Sequence, residues 1–131
     1  MDHDAVQAWL DRYVRAWETY DPAATGELFS EAAEYRYHPF DEPIRGRDAI
    51  VQSWIAPEGV ASGRDEPGTY QGRYRPWAID ADRAAAVGES LYWTDAGQAT
   101  LDQAYDNVYL LEFDRDGRCR SFTEWYMRRP G

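Results

Sequence analysis

Val6, Trp9, Leu10, Tyr13, Val14 and Trp17 recur at i, i+3, i+4, i+7, i+8 and i+11, with Asp11, Arg12, Arg15 and Glu18 off that spacing. The pattern lays the apolar side chains along one helical face and predicts a helix over 5–20. Asp4, with Gln7 three residues on, has the form of a capping box. Asp21-Pro22 supplies a second N-cap followed by proline, opening a short helix that ends near Phe29. Tyr35-Arg36-Tyr37-His38 reads as a brief strand stopped by Pro39. From Gly46-Arg47-Asp48, the positions Ile50, Val51, Trp54 and Ile55 predict a third helix ending at Pro57-Glu58-Gly59. Residues 57–68, rich in Gly, Pro, Ser and charge, predict a surface loop.

The texture then changes to aromatic and β-branched runs over 69–79, 83–94, 99–113 and 118–128, separated by short acidic turns. Asp114-Arg115-Asp116-Gly117 is the strongest hairpin signal among them. Three helices ahead of a four-strand meander predict an α+β domain spanning 1–131, with the helices on one face of an antiparallel sheet. There is no internal repeat.

Composition narrows the chemistry. The chain has 131 residues, 24 of them acidic and 14 basic, for a formal charge of −10. That field repels nucleic-acid phosphates and anionic membranes, so neither is an expected partner. Every basic residue is Arg, and with no Lys in the chain Schiff-base and P-loop lysine chemistry is excluded. Cys119 is the single cysteine, which excludes an intrachain disulfide and a multi-thiolate metal site. The first 20 residues carry Asp2, Asp4, Asp11 and Glu18 without a basic start and apolar run, so the expected location is cytoplasmic. No cofactor or metal motif is present.

Arg12-Tyr13-Val14, Leu28-Phe29, Pro39, Gly46-Arg47-Asp48-Ala49-Ile50 and Phe113-Asp114-Arg115-Asp116-Gly117-Arg118, in that order and spacing, resemble the nuclear transport factor 2-like superfamily. The likeness is to its SnoaL-like and ketosteroid isomerase-like branch and spans nearly the whole chain. The resemblance implies a cone: three N-terminal helices packed on a curved, mainly antiparallel sheet enclosing an apolar pocket, usually dimeric through the outer sheet face. It implies no single activity, since the superfamily holds isomerases, cyclases, dehydratases, hydrolases and proteins that only bind. Of the isomerase triad, Tyr13 matches the helix-borne donor. The base position before the strand-ending proline holds His38 in place of Asp, and the second acid position falls on Tyr109, three residues from Asp106. The two-histidine site of the superfamily's dehydratase has no counterpart, because His3 lies in the N-terminal tail.

His38 is the one histidine outside that tail, and its imidazole suits proton transfer near neutral pH. Asp106 and Asn107 in the 99–113 run, and Glu124 in the 118–128 run, are polar residues inside aromatic strands, where Asp and Asn are depleted. If Phe113 faces Arg118 across the turn, Asn107 pairs with Glu124, Tyr109 with Phe122, and Tyr105 with Tyr126. A glycine bulge shifts this by one, setting Asp106 beside Tyr126 and Val108 beside Glu124. Trp17, Tyr35, Tyr37, Trp54, Trp93, Tyr105, Phe122 and Tyr126 are candidate walls for a flat ligand, with the hydrophobic core as the competing destination. Two functions remain open: a cofactor-independent acid/base enzyme acting on a small apolar or aromatic molecule, and a non-catalytic ligand-binding or dimeric interaction module.

Overall fold

The computed structural model describes residues 1–54 and 68–130. The predicted loop over 57–67 lies outside them. The described elements are α1 (His3–Thr19), α2 (Pro22–Glu27), β1 (Phe29–Arg36), β2 (Ile44–Arg45), α3 (Arg47–Trp54), β3 (Tyr70–Asp80), β4 (Arg83–Trp93), β5 (Leu101–Phe113) and β6 (Cys119–Arg128). One six-stranded sheet runs in the order β2-β1-β6-β5-β4-β3. Among the described strands only the β1–β6 pair is parallel. The fold is α+β, as the pattern predicts, but the helices are not a contiguous N-terminal run, because β1 and β2 come between α2 and α3.

Helix α1 buries Val6, Trp9, Leu10, Tyr13, Ala16 and Trp17 on the inner side of the sheet. Its cap is Asp2, whose side chain accepts from the Ala5 N–H at 2.8 Å, and not Asp4. Gln7 points instead to the Tyr74 carbonyl, 2.8 Å away. Asp21 caps α2 as expected. That helix stops at Glu27, and Phe29 already belongs to β1. The Ser-Glu-Ala-Ala-Glu stretch has little strand propensity, but it lies between β2 and β6, and pairing overrides composition.

The narrow end of the sheet is a packed aromatic core. Trp9 donates its indole N–H to the Leu28 carbonyl at 3.0 Å. Tyr35 stacks flat on Phe122, with ring centroids 4.4 Å apart. Trp54 stacks on Trp17 at 4.2 Å.

Both expected registers of the last hairpin are corrected. Asn107 faces Tyr126, Tyr109 faces Glu124, and Leu111 faces Phe122. Two single-residue shifts add up. Gly117, at φ 85°, adopts the left-handed conformation that a three-residue loop requires. The Asp114 N–H then reaches the Arg118 carbonyl at 2.7 Å. A bulge follows, since Glu112 pairs with Ser121 but Phe113 with Cys119, leaving Arg120 as the extra residue. A slip of two residues preserves which face each side chain points to. Tyr109, Asn107, Glu124 and Tyr126 therefore share the concave side, while Asp106 and Val108 lie on the convex side.

Candidate functional site

Four inward positions of β4 are Ala84, Ala86, Gly88 and Ser90, all small. Their strand partners read in rows: Ala84 beside Leu111, Ala86 beside Tyr109, Gly88 between Tyr74 and Asn107, and Ser90 between Gly72 and Tyr105. Rows nearer the narrow end are apolar and closed. Rows nearer the open end carry hydroxyls and amides, and of the four small positions Ser90 borders open space. A cavity of about 600 Å³ opens there, walled by α1 (Tyr13, Trp17), by Tyr37, and by the outer halves of β3–β6.

Two glycines shape the wall. A Cβ on Gly88 would stand 2.1 Å from the Arg73 carbonyl and 2.4 Å from the Tyr74 ring. A Cβ on Gly72 would stand 2.4 Å from the Tyr70 hydroxyl. Gly72 lies inside β3, within the predicted 69–79 run. The bare backbone lets both phenols fold over the sheet and converge on Ser90, Tyr70 at 2.9 Å and Tyr74 at 2.5 Å. Asn107 Nδ2 donates to the Tyr74 hydroxyl at 2.9 Å, and Tyr13 donates to Tyr109 at 3.2 Å. Burial pushes the phenols of Tyr13, Tyr109 and Tyr74 upward, so they stay neutral donors.

Glu124 stands apart from this network. No hydrogen bond or ion pair reaches its carboxyl among the described residues, and desolvation pushes its pKa from 4.5 to about 8. Its charge, when present, raises the Tyr13, Tyr37 and Tyr109 phenols further, which places it among them. Asn107 Oδ1 and Trp93 Nε1, also in the wall, are buried without a partner among the described residues. The wall therefore offers a protonatable carboxyl, with an unpaired acceptor and an unpaired donor buried just behind its surface.

The structure brings together Tyr13, Trp17, Tyr37, Trp93, Tyr105, Asn107, Tyr109, Glu124 and Tyr126 around this void. It leaves others out. Tyr35, Trp54 and Phe122 are core residues, Tyr35 and Phe122 in rows at the closed end and Trp54 at the end of α3, stacked behind Trp17. Asp106 points outward and is held by Arg129 at 2.8 and 2.9 Å. His38 stands behind the wall, with Nε2 2.7 Å from the Tyr126 hydroxyl. Sequence reasoning passed over Tyr70, Tyr74 and Ser90, although the alternating small residues of β4 carry a usable signal. Among the described residues no cluster of three His, Cys, Asp or Glu suited to a metal occurs.

A curved sheet wrapped on one long helix, closed by aromatic packing at one end and hollow at the other, defines the cone-shaped nuclear transport factor 2-like class. Residues 1–118 match the SnoaL-like domain, and the chain belongs to that family. No curated protein matches the chain in sequence. A crystal structure from Kribbella flavida DSM 17836, named a "putative ketosteroid isomerase", is similar in fold at TM-score 0.67 and 20% identity, over 99% of this chain and 83% of that one.

Proposed function

We propose that the protein, as one domain over 1–131, binds a small uncharged aromatic or apolar molecule in the open end of the cone and moves a proton on it without a cofactor. The carrying observation is Glu124, a half-buried carboxyl in the cavity wall that no described residue engages by hydrogen bond or ion pair. A carboxyl in that setting is held near the pH at which it serves equally as acid and base. Tyr109, whose oxygen accepts from Tyr13, supplies a neutral donor for an oxygen that gains negative charge during the transfer.

A thermal-shift screen of neutral aromatic and polycyclic compounds tests the reading, since a ligand that binds only the native state raises the melting temperature. Glu124→Gln is expected to retain binding and lose turnover. Hits that stabilise the protein but turn over equally well in Glu124→Gln overturn the proton-transfer role, and a screen with no hit overturns the ligand.

The reading includes a homodimer. Val108 pairs with Trp125 on the convex face, next to Leu110 and Met127, and all four are exposed. Adjacent exposed apolar residues mark an interaction surface. A dimer mass at micromolar concentration, shifted to monomer by Trp125→Glu, is the expected result. The buried thiol of Cys119, its pKa pushed up to about 12, fits a reducing cytoplasmic setting.

A further inference from the structure

His38 lies just beyond Arg36, where β1 ends, and Asp41 follows three residues later in a tight turn closed by the Asp41 N–H on the His38 carbonyl at 3.1 Å. The turn brings the Asp41 carboxyl to His38 Nδ1 at 2.8 Å. The other ring nitrogen, Nε2, meets the Tyr126 hydroxyl at 2.7 Å. A carboxylate only accepts, so the Asp41 contact keeps the proton on Nδ1 and leaves the Nε2 lone pair facing the phenol. Phe40 stacks on the imidazole at 5.1 Å and Tyr105 packs edge-on against Tyr126, which fixes both rings. Tyr126 is itself part of the cavity wall, one row outward from Glu124.

We propose that Asp41, His38 and Tyr126 form a proton relay, with the Tyr126 hydroxyl as a second acid/base group at the mouth of the cavity. In the forward step a ligand O–H, or a C–H next to a carbonyl, breaks and its proton joins Tyr126 Oη. The phenolic proton passes to His38 Nε2, leaving an imidazolium paired with the Asp41 carboxylate, and the ligand keeps the electron pair. The reverse step returns the proton. Side chains of His38 and Asp41 are 36% and 34% exposed, so the imidazolium can exchange its proton with water. The ligand class this adds is a neutral molecule with an enolisable carbonyl or a phenolic hydroxyl at its solvent end. Of the two groups, Tyr126 touches ligand and His38 acts through it.

The relay makes a ligand-free prediction, because a phenol with a base on its proton attacks sulfur(VI) fluorides. Tyr126 Oη bonds to sulfur, fluoride leaves, and the phenolic proton goes to His38. Benzenesulfonyl fluoride is added to the full chain at pH 7.5 and the sites are mapped by peptide mass spectrometry over time. Tyr126 is expected to label fastest of the ten tyrosines. His38→Gln should slow it at least tenfold, and Asp41→Asn severalfold, while the Tyr105 rate stays constant in every variant and reports an intact cavity mouth. Labelling of Tyr126 no faster than Tyr105, or unchanged in His38→Gln, overturns the relay. Neither Glu124 nor a substrate takes part in labelling, so failure here leaves the Glu124 reading standing, and the reverse holds.

Discussion

Asp106 and Glu124 sit on neighbouring strands, three residue pairs apart, and their environments are opposite. Asp106 is on the convex face, where the Arg129 hydrogen bonds hold its carboxyl below its ordinary value. Arg129 also reaches Glu89 at 3.1 Å, so the convex charges close on one another. Glu124 faces the cavity, and burial raises it to about 8, with no cation among the described residues to offset the loss of water. Both acids interrupt aromatic strands in the sequence. Strand parity alone sends one to a solvated ion pair and the other into a void. The comparison teaches that an unexplained acid in a strand is informative only once its face is known.

The largest expected effect that would break this contrast is on turnover. With a substrate in hand, Glu124→Gln should lower kcat by roughly 10² to 10⁴, the range for a lost acid/base group, and Asp106→Asn should leave it unchanged. Equal losses in steady-state kinetics would erase the distinction between the faces.

Stability against pH gives the next effect, with opposite signs for the two acids. The folded state holds the Glu124 proton that the unfolded chain releases, so its stabilisation is full below about 4.5 and declines as pH rises toward about 8. At roughly 1.4 kcal/mol per pKa unit the loss is on the order of a few kcal/mol. Asp106 contributes above its ordinary value of 3.8 and loses that contribution as pH falls below it. Urea unfolding from pH 5 to pH 9 should show the Glu124 decline, and Glu124→Gln should flatten it.

Gly88→Ala probes the concave wall itself. The added methyl meets the Arg73 carbonyl and the Tyr74 ring, so a loss of about 1–3 kcal/mol in chemical denaturation is expected, with weaker ligand stabilisation. Tolerance of alanine there would mean that the phenols are free to move aside. The smallest effect belongs to the convex side, where Arg129→Ala should leave the melting temperature within experimental error, since exposed pairs contribute little.

Much of the scaffold was legible in the chain. Helical spacing gave α1 to within two residues at its start, and period-two runs gave β3–β6 nearly to their ends. The Gly117 turn was visible as a hairpin. Less was legible at the site. Tyr35, Trp54 and Phe122 have the same chemistry as Tyr37, Trp93 and Tyr126, and only their place in the tertiary packing separates core from wall. His38 was singled out for its imidazole, but its place behind Tyr126 depends on β1 lying beside β6, a pairing between residues far apart in sequence.

The sequence by itself determined the periodicities, the absence of lysine chemistry and the sites of the turns, because these follow from local geometry and residue type. Tertiary structure decided the parallel β1–β6 pairing, the two-residue slip of the last hairpin and the cavity beside Ser90, Asn107 and Glu124. Each of those depends on what lies across the sheet. A bulge at Arg120 and a left-handed Gly117 together set which face Glu124 occupies, and burial on that face is what turns an ordinary glutamate into the cavity's uncommitted acid.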